Sequence, residues 1–274
     1  MGVVSGTTEE TAGLTRRVNV IMADGDGVRR EEAEVCVEST VELRVNGTPL
    51  VRLALTRDRL EAFASGFLVC EGVVLSVDAI GSIVVDDEVI DARVPDLAGP
   101  PFGVELRSSG CPGLACGLDA CRKPLPDGPG VELETLMHAA GLINDLARLW
   151  RRTGGTHCTV IVGPDGEVIA SAEDMGRHTS VDKAVGTALL EGADLSYAIL
   201  VCTGRLPSGM VAKVYRAGIP VVVSNTAPVL AGLELADRLN LTAVGFARPP
   251  RLTVYTHPER VRRGGTPLTV VATG

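Results

Sequence analysis

From residue 158 to residue 246 the chain alternates short apolar runs with helical runs, and no other feature restricts its fold as much. Strands are expected at 158–162, 168–171, 198–203, 220–224 and 243–246, and helices at 180–190, 208–217 and 229–239. Short buried strands separated by helices imply a largely parallel α/β sheet covered on both faces. A longer helical stretch, 133–152, precedes this part, and the Pro/Gly-rich KPLPDGPG at 123–130 marks the seam before it.

Upstream the pattern is mixed. Val35, Val37, Val41, Leu43 and Val45 come close to alternation, and Asn46-Gly47-Thr48 turns the chain into an apolar run at 50–55, the pattern of a hairpin. Thr56 is expected to cap a helix carrying Leu60, Phe63, Ala64, Phe67 and Leu68 on one stripe and ending at Glu71-Gly72. Two or three short strands should follow between 79 and 107. The organisation read from this is a loose lead-in at 1–30, a smaller α+β region at 31–122, a linker at 123–132 and an α/β domain at 133–274.

The densest chemistry lies at 108–121, SSGCPGLACGLDAC, where Cys111, Cys116 and Cys121 sit among glycines and a proline that prevent a regular helix. A thiol on a loop can ionise and meet a partner, and Arg107, Arg122 and Lys123 favour the thiolate. Cys36, Cys70, Cys158 and Cys202 lie in apolar runs and read as structural thiols. The four-residue gaps differ from the two-residue gaps of zinc ribbons and redox motifs, so no metal site is expected.

Three further runs carry ionisable groups. EDMGRHTSVDKAVG at 173–186 gathers Glu173, Asp174, Arg177, His178, Asp182 and Lys183 at a strand-to-helix junction, where open α/β sheets bind ligands. Capping and surface pairing account for the same residues equally well. TGRLPSGM at 203–210 has the outer glycines of a phosphate loop, Gly204 and Gly209, but Met210 and Val211 where Lys and Ser or Thr belong. Nucleotide hydrolysis is therefore not expected, although the helix amino terminus and Arg205 suit a phosphate. FARPPRLTVYTHP at 246–258 puts Arg248 and Arg251 on a proline turn, where two guanidinium forks suit a diphosphate.

A net charge of -8 and 3% aromatic residues argue against nucleic-acid binding through bulk electrostatics or base stacking. Neither a signal peptide nor a long apolar span is legible, so a cytoplasmic protein without membrane contact is expected.

In order along the chain, VNGTPLVRLALTRDRLEAFASGFLVCEGVV, TGGTH at 153–157, EDMGRHTSVDKAVG, AGIPVVVSNTAP and LTAVGFARPPRLTVYTHP resemble the formate dehydrogenase accessory sulfurtransferases of the FdhD/NarQ type. That resemblance implies a cytidine-deaminase-like three-layer α/β domain with a mixed sheet, joined to the smaller α+β region, and a homodimer. It implies a sulfur carrier that takes persulfide sulfur from a cysteine desulfurase and passes it to the molybdenum bis-guanine-dinucleotide cofactor for the formate dehydrogenase apoenzyme. Carried over by motif position, Cys111 after its two serines is the persulfide residue, with Cys116 second. The cofactor segment corresponds to Phe246, Ala247, Arg248, Pro249, Pro250 and Arg251, and Gly204, Arg205, Arg177 and His178 are expected at the same mouth. Many members space these thiols by two residues, whereas this chain has four and adds Cys121. Two rival readings are a cofactor-binding chaperone with incidental cysteines and a nucleotide hydrolase using the His178 region.

Overall fold

The computed structural model describes residues 13–97, 105–107 (as backbone) and 123–268, so Cys111, Cys116 and Cys121 lie outside the described residues. The amino-terminal part opens with β1 (Thr15–Asp24) and β2 (Gly27–Cys36), an antiparallel ribbon in full register from Thr15↔Cys36 to Asp24↔Gly27. The loose lead-in expected at 1–30 is thus corrected from residue 15 onward. Gly27, with φ of 139°, makes the tight return whose strand alternation mixed charges had obscured.

Next come β3 (Ser39–Val45) and β4 (Thr48–Leu55), joined at Asn46 and Gly47, both left-handed with φ of 51° and 77°. Two successive positive φ angles are what a two-residue hairpin turn needs, so the expected hairpin forms. α1 (Leu60–Cys70) follows, then β5 (Ser82–Asp86), β6 (Val89–Arg93) and β7 (Glu105–Arg107). These strands make a sheet in the order β5-β6-β3-β4-β7. Arg59, not Thr56, occupies the N-cap position of α1, so the expected cap is also corrected.

The second part begins with β8 (Val131–Glu132), α2 (Leu133–Leu146) and α3 (Arg148–Thr153). The single helix expected over 133–152 is two, because Ala147 leaves helical geometry at ψ 62°. Then follow β9 (His157–Val162), β10 (Val168–Asp174), α4 (Arg177–Leu190), β11 (Ile199–Cys202) and α5 (Ser208–Arg216). β12 (Val221–Ser224), α6 (Leu230–Arg238), β13 (Thr242–Arg248), β14 (Arg251–Val254), β15 (Val261–Arg263) and β16 (Thr266–Pro267) complete the described chain. β15 pairs with both β8 and β16 in a small outlying sheet.

Among the described residues the larger sheet has the order β10-β9-β11-β12-β13-β14. Only β11, β12 and β13 are mutually parallel, while β9, β10 and β14 pair antiparallel. The largely parallel sheet read from the alternation is therefore a mixed one: the 163–167 and 249–250 connections are hairpin turns, too short for a crossover helix.

Side-chain alternation assigns the layers. Val160, Val162, Ile199, Val201, Val221 and Val223 face α2 through Leu136, Ala139 and Ile143. Ile161, Leu200, Cys202 and Val222 face α4, α5 and α6 on the other side. This is a three-layer α/β domain with a mixed sheet. Beyond α4 lies α1, whose Phe63, Phe67 and Leu68 fill a second core against β3, β4 and β6.

Two glycines let α1 and α4 meet backbone to backbone. A Cβ on Gly66 would lie 1.8 Å from Asp182 O, and one on Gly186 would lie 1.8 Å from Ala62 O. Buried ion pairs accompany this crossing. Lys183 Nζ, fully buried, donates to Thr56 O at 2.7 Å and to Asp58 Oδ1 at 2.6 Å, and lies 2.8 Å from Asp174 Oδ2. Lys213 Nζ bridges Asp182 Oδ1 at 2.7 Å and Glu71 Oε1 at 2.6 Å, with the Phe67 ring centroid 5.1 Å away. Asp58 and Glu71 belong to the first part and their partners to the second, so both parts share a fastened interior. A buried ammonium left without its carboxylates costs several kcal/mol, roughly 3–5, so each cluster holds the two parts in one register.

Candidate functional site

β9 begins, and β10, β11, β12 and β13 end, at one edge of the larger sheet, as the registers Asp174↔His157 and Cys202↔Thr159 require. The amino ends of α4 and α5 open at the same edge. Helix amino termini present unpaired N–H groups and a positive dipole end, so this edge favours an anion.

Much of the 173–186 run is committed to structure. Asp174 Oδ1 accepts from the Gly176 N–H at 2.7 Å, and Oδ2 accepts from the Thr56 N–H at 3.0 Å. The Glu173 carboxylate closes the amino end of α3, accepting from Leu149 N–H at 2.7 Å, Trp150 N–H at 2.8 Å and Thr156 Oγ1 at 3.0 Å. Asp182 and Lys183 are held in the interior ion clusters. His178 is buried in the first turn of α4 at 6% exposure. Arg177 begins α4 and is half-buried at the edge.

Gly204 has a different reason from a phosphate loop's glycine. A Cβ there would come within 2.8 Å of Arg177 Cβ, so only glycine lets the loop after β11 lie against α4. Gly204 O accepts from Ser224 Oγ at 2.7 Å, and Ser224 Oγ accepts from the Thr226 N–H at 3.0 Å. Leu206 bridges Pro228 in parallel fashion. Loops after β11 and β12 thus brace one another, and Arg205 remains exposed on the first of them.

The end of β13 is bulged between Gly245 and Arg248. Phe246 sits at φ 49°, donates its N–H to Thr226 O at 3.0 Å and leaves half its surface exposed. Bulges re-aim side chains at the ends of strands, and here the aromatic ring is turned outward while Ala247 goes inside. After the Pro249-Pro250 turn, Arg251 stands directly opposite Arg248 across the β13–β14 pair. Like charges facing each other across strands repel, so the pair is suited to an anion that neutralises both. Arg248 Nε donates to Asn225 O at 3.2 Å, tying the arginines to the loop after β12.

Sequence reasoning did not single out Asn225, although its Oδ1 is buried with no hydrogen-bond partner among the described residues. A buried, unsatisfied amide oxygen costs about 1–3 kcal/mol, so a donor from a bound molecule would relieve it. The available signal was a polar Ser-Asn-Thr triplet following an all-apolar strand. Also missed was a cleft of about 330 Å³ beside Thr203, lined by Trp150, Gly154, Gly155, Thr156, His157 and Met175. His157 Nδ1 lies 2.9 Å from Thr203 Oγ1, which accepts from the Cys158 N–H at 3.1 Å. Burial, reinforced by the Arg177 cation and opposed by Asp174, lowers His157 from its ordinary value and so favours the neutral imidazole.

The structure therefore gathers Arg177, Gly204, Arg205, Phe246, Arg248 and Arg251 around one edge, with Pro249 and Pro250 forming the exposed turn. The chain after the cysteine run is held elsewhere. Tyr215 Oη donates to Lys123 O at 2.8 Å and Leu125 N–H donates to Leu239 O at 2.9 Å, at the carboxyl ends of α5 and α6. Those helix ends lie at the opposite edge of the sheet, since α5 and α6 run back from one strand's end to the next strand's start. Three of the four described cysteines are inert by environment: burial pushes Cys158 and Cys202 up to about 12 and raises Cys70 strongly, while Cys36 is only partly buried. Among the described residues, no cluster of three His, Cys, Asp or Glu could hold a metal ion, and no helix is long and apolar enough to cross a membrane.

Comparison with known proteins agrees with this architecture. The FdhD/NarQ family model matches residues 36–262. The sulfur carrier protein FdhD of Methanothermobacter thermautotrophicus is 34% identical over 90% of this chain and 99% of its own length. That of Streptomyces avermitilis is 35% identical over 90% and 96%. A crystal structure of a formate dehydrogenase accessory protein from Desulfotalea psychrophila aligns with a TM-score of 0.77 at 25% identity, covering 91% of this chain and all of that one. The chain belongs to the FdhD/NarQ family.

Proposed function

We propose that this protein is a sulfur carrier in formate dehydrogenase maturation, loaded by a cysteine desulfurase and discharging to the molybdenum bis-guanine-dinucleotide cofactor, which is its cargo. In the loading step the Cys111 thiolate attacks the terminal sulfur of the donor persulfide. A new S–S bond forms on Cys111, the donor's S–S bond breaks, and the donor leaves as a thiolate that takes up a proton. Cys116 is the alternative acceptor. The cargo's guanine-dinucleotide diphosphates would be met by Arg248, Arg251 and Arg205, with Arg177 and the amino end of α5 adding positive potential. Phe246 offers its exposed ring to a base, and the Asn225 amide oxygen offers an acceptor for a donor group. A homodimer is part of this reading, as is delivery to the formate dehydrogenase apoenzyme.

The observation that carries the sulfur-carrier reading is the family match over residues 36–262, together with relatives named sulfur carrier protein FdhD along nearly their whole length. For the cargo it is the opposed pair Arg248 and Arg251 beside the unpartnered Asn225 oxygen.

The test is intact mass followed by non-reducing peptide mapping, after incubation with a cysteine desulfurase and cysteine. One added sulfur on the peptide containing Cys111, lost in Cys111→Ala while GDP binding stays unchanged, is the expected result. Full loading of Cys111→Ala moves the role to Cys116 or Cys121. No sulfur gain with an active desulfurase, alongside intact GDP binding, overturns the carrier reading in favour of a cofactor-binding chaperone.

A further inference from the structure

Neither the cores nor the site edge accounts for the ribbon made by β1 and β2. Only its root is tied down. Thr15 Oγ1 donates to Glu34 Oε1 at 2.6 Å, Arg152 Nε donates to Glu34 Oε2 at 2.8 Å, and Val37 N–H donates to Leu14 O at 2.8 Å. Residues 21–30 are exposed without interruption, including Ile21 at 61% and Val28 at 74%. Among the described residues this is a sheet of two strands alone, with unpaired outer edges on both. Such a ribbon is marginal in water, and unpaired edges recruit further strands.

Pairing places Val18 opposite Ala33 and Arg16 opposite Val35, so alternation gathers Val18, Val20, Met22, Ala33 and Val35 on one face. We infer that the outer edge of β1 pairs antiparallel with β1 of a second copy, about a twofold axis at Val20. The argument is one of register. Directly opposed residues in an antiparallel sheet share a face, so a twofold axis perpendicular to the sheet must set one residue against its own copy.

With the axis at Val20, Val18 meets Met22 of the second copy, Asn19 meets Ile21, Arg17 meets Ala23 and Arg16 meets Asp24. No like charges oppose, and the ends gain two Arg-to-Asp pairs. Asp24 already accepts from Arg29 and from the Asp26 N–H at 2.9 Å, and a carboxylate retains capacity for another donor. The resulting four-stranded sheet joins into one layer the faces that carry Val18, Val20 and Met22, on which Glu31 and Arg29 stand opposite Val20 and Met22.

β2 cannot do the same. An axis at Arg29, Arg30, Glu31, Glu32 or Glu34 sets a charge against itself, an axis at Ala33 sets Glu32 against Glu34 of the other copy, and an axis at Val28 or Val35 leaves only Gly27 or Cys36 of the strand beyond it. Like charges directly opposed across strands are destabilising, so one edge of the ribbon is open to self-pairing and the other is guarded. The inference deepens the homodimer included in the proposed function and rests on that part of it alone.

Sedimentation velocity on the full chain at micromolar concentration tests it. The wild type should sediment as a dimer. Val20→Lys, which sets two ammonium groups against each other only in the assembly, should raise the dimer dissociation constant about tenfold or more with unchanged circular dichroism. Val20→Cys should cross-link under mild oxidation through a peptide joined to its own copy, whereas Val28→Cys, on β2 and more exposed at 74%, should not. An unaltered dissociation constant in Val20→Lys, or equal cross-linking at both positions, overturns the β1 surface while leaving the homodimer standing. A monomeric wild type overturns both. Sulfur gain measured on the same samples reports the carrier reading separately, since its failure leaves the ribbon result untouched.

Discussion

Replacing Gly186 with alanine should destabilise the protein, against the ordinary expectation for a glycine inside a helix. In an exposed helix interior that exchange is worth about 1 kcal/mol in alanine's favour. At Gly186 the new Cβ would meet Ala62 O at 1.8 Å, Ala62 C at 2.7 Å and Gly66 N at 2.8 Å, all backbone atoms that cannot rotate away. To restore a normal contact, α1 and α4 must part by roughly 1–1.5 Å, enough to forfeit about half of the dispersion energy across their interface. The ion clusters beside the crossing, with contacts of 2.6–2.8 Å from Lys183 and Lys213, would be stretched by the same shift. Overpacking costs about 1–3 kcal/mol and weakening a buried ion pair adds more, so the net loss should be about 3 kcal/mol after the propensity gain. In a chain of this size that corresponds to a Tm lower by about 6–12 °C. The assay is urea and thermal unfolding beside Gly141→Ala, where a Cβ meets nothing within 4 Å and a small stabilisation is expected. If Gly186→Ala matches or exceeds the wild type in stability, the backbone-to-backbone crossing is not what holds the two parts together.

A second expectation concerns pH. Asp182 is pushed up to about 6 by burial, opposed by Lys213 and aided by Glu71, because two buried carboxylates share one ammonium beside Cys70. Its folded value lies above the unfolded one near 4, so the native state binds the extra proton between those values. Stability should fall by up to about 3 kcal/mol as pH rises from 4 to 6 and then level off. Urea titrations at several pH values should show this slope, and Asp182→Asn should abolish it; identical slopes in both proteins would refute the assignment. Third, iodoacetamide applied to native protein at pH 8 should leave Cys70, Cys158 and Cys202 unmodified and label all three after denaturation. Native labelling of Cys158 or Cys202 at the rate of a free thiol would contradict their packing.

The alternation of apolar runs and helices determined most elements of the α/β domain to within about three residues, though not β14 or the break between α2 and α3, because side-chain periodicity is a local property and survives without tertiary information. Asn46-Gly47 likewise determined its hairpin, since a two-residue turn with positive φ leaves few other sequences. Ordered sequence blocks carried the family as well. Strand direction was decided elsewhere: β9, β10 and β14 look like any other apolar strand, and only the short turns joining them made them antiparallel. The amino-terminal ribbon escaped notice because its strands bury little, so their alternation is mixed with charges.

At the candidate site, the sequence singled out Arg177, Gly204, Arg248 and Arg251, which the fold brings to one edge, but not what each one contacts. Gly204 is needed for its contact with Arg177, a residue 27 positions away in the chain. Asp174, Asp182 and Lys183, which could equally have been acid–base groups, are bound to Thr56, Asp58, Glu71 and Lys213. Whether a charged side chain serves chemistry or holds the interior depends on which partners the fold brings within 3 Å, and those partners lie 31 residues apart for Asp182 and Lys213 and more than a hundred apart for Asp174 and Lys183. Local pattern determined the elements and the family; only packing decided which of the charged residues were left facing solvent at the edge of the sheet.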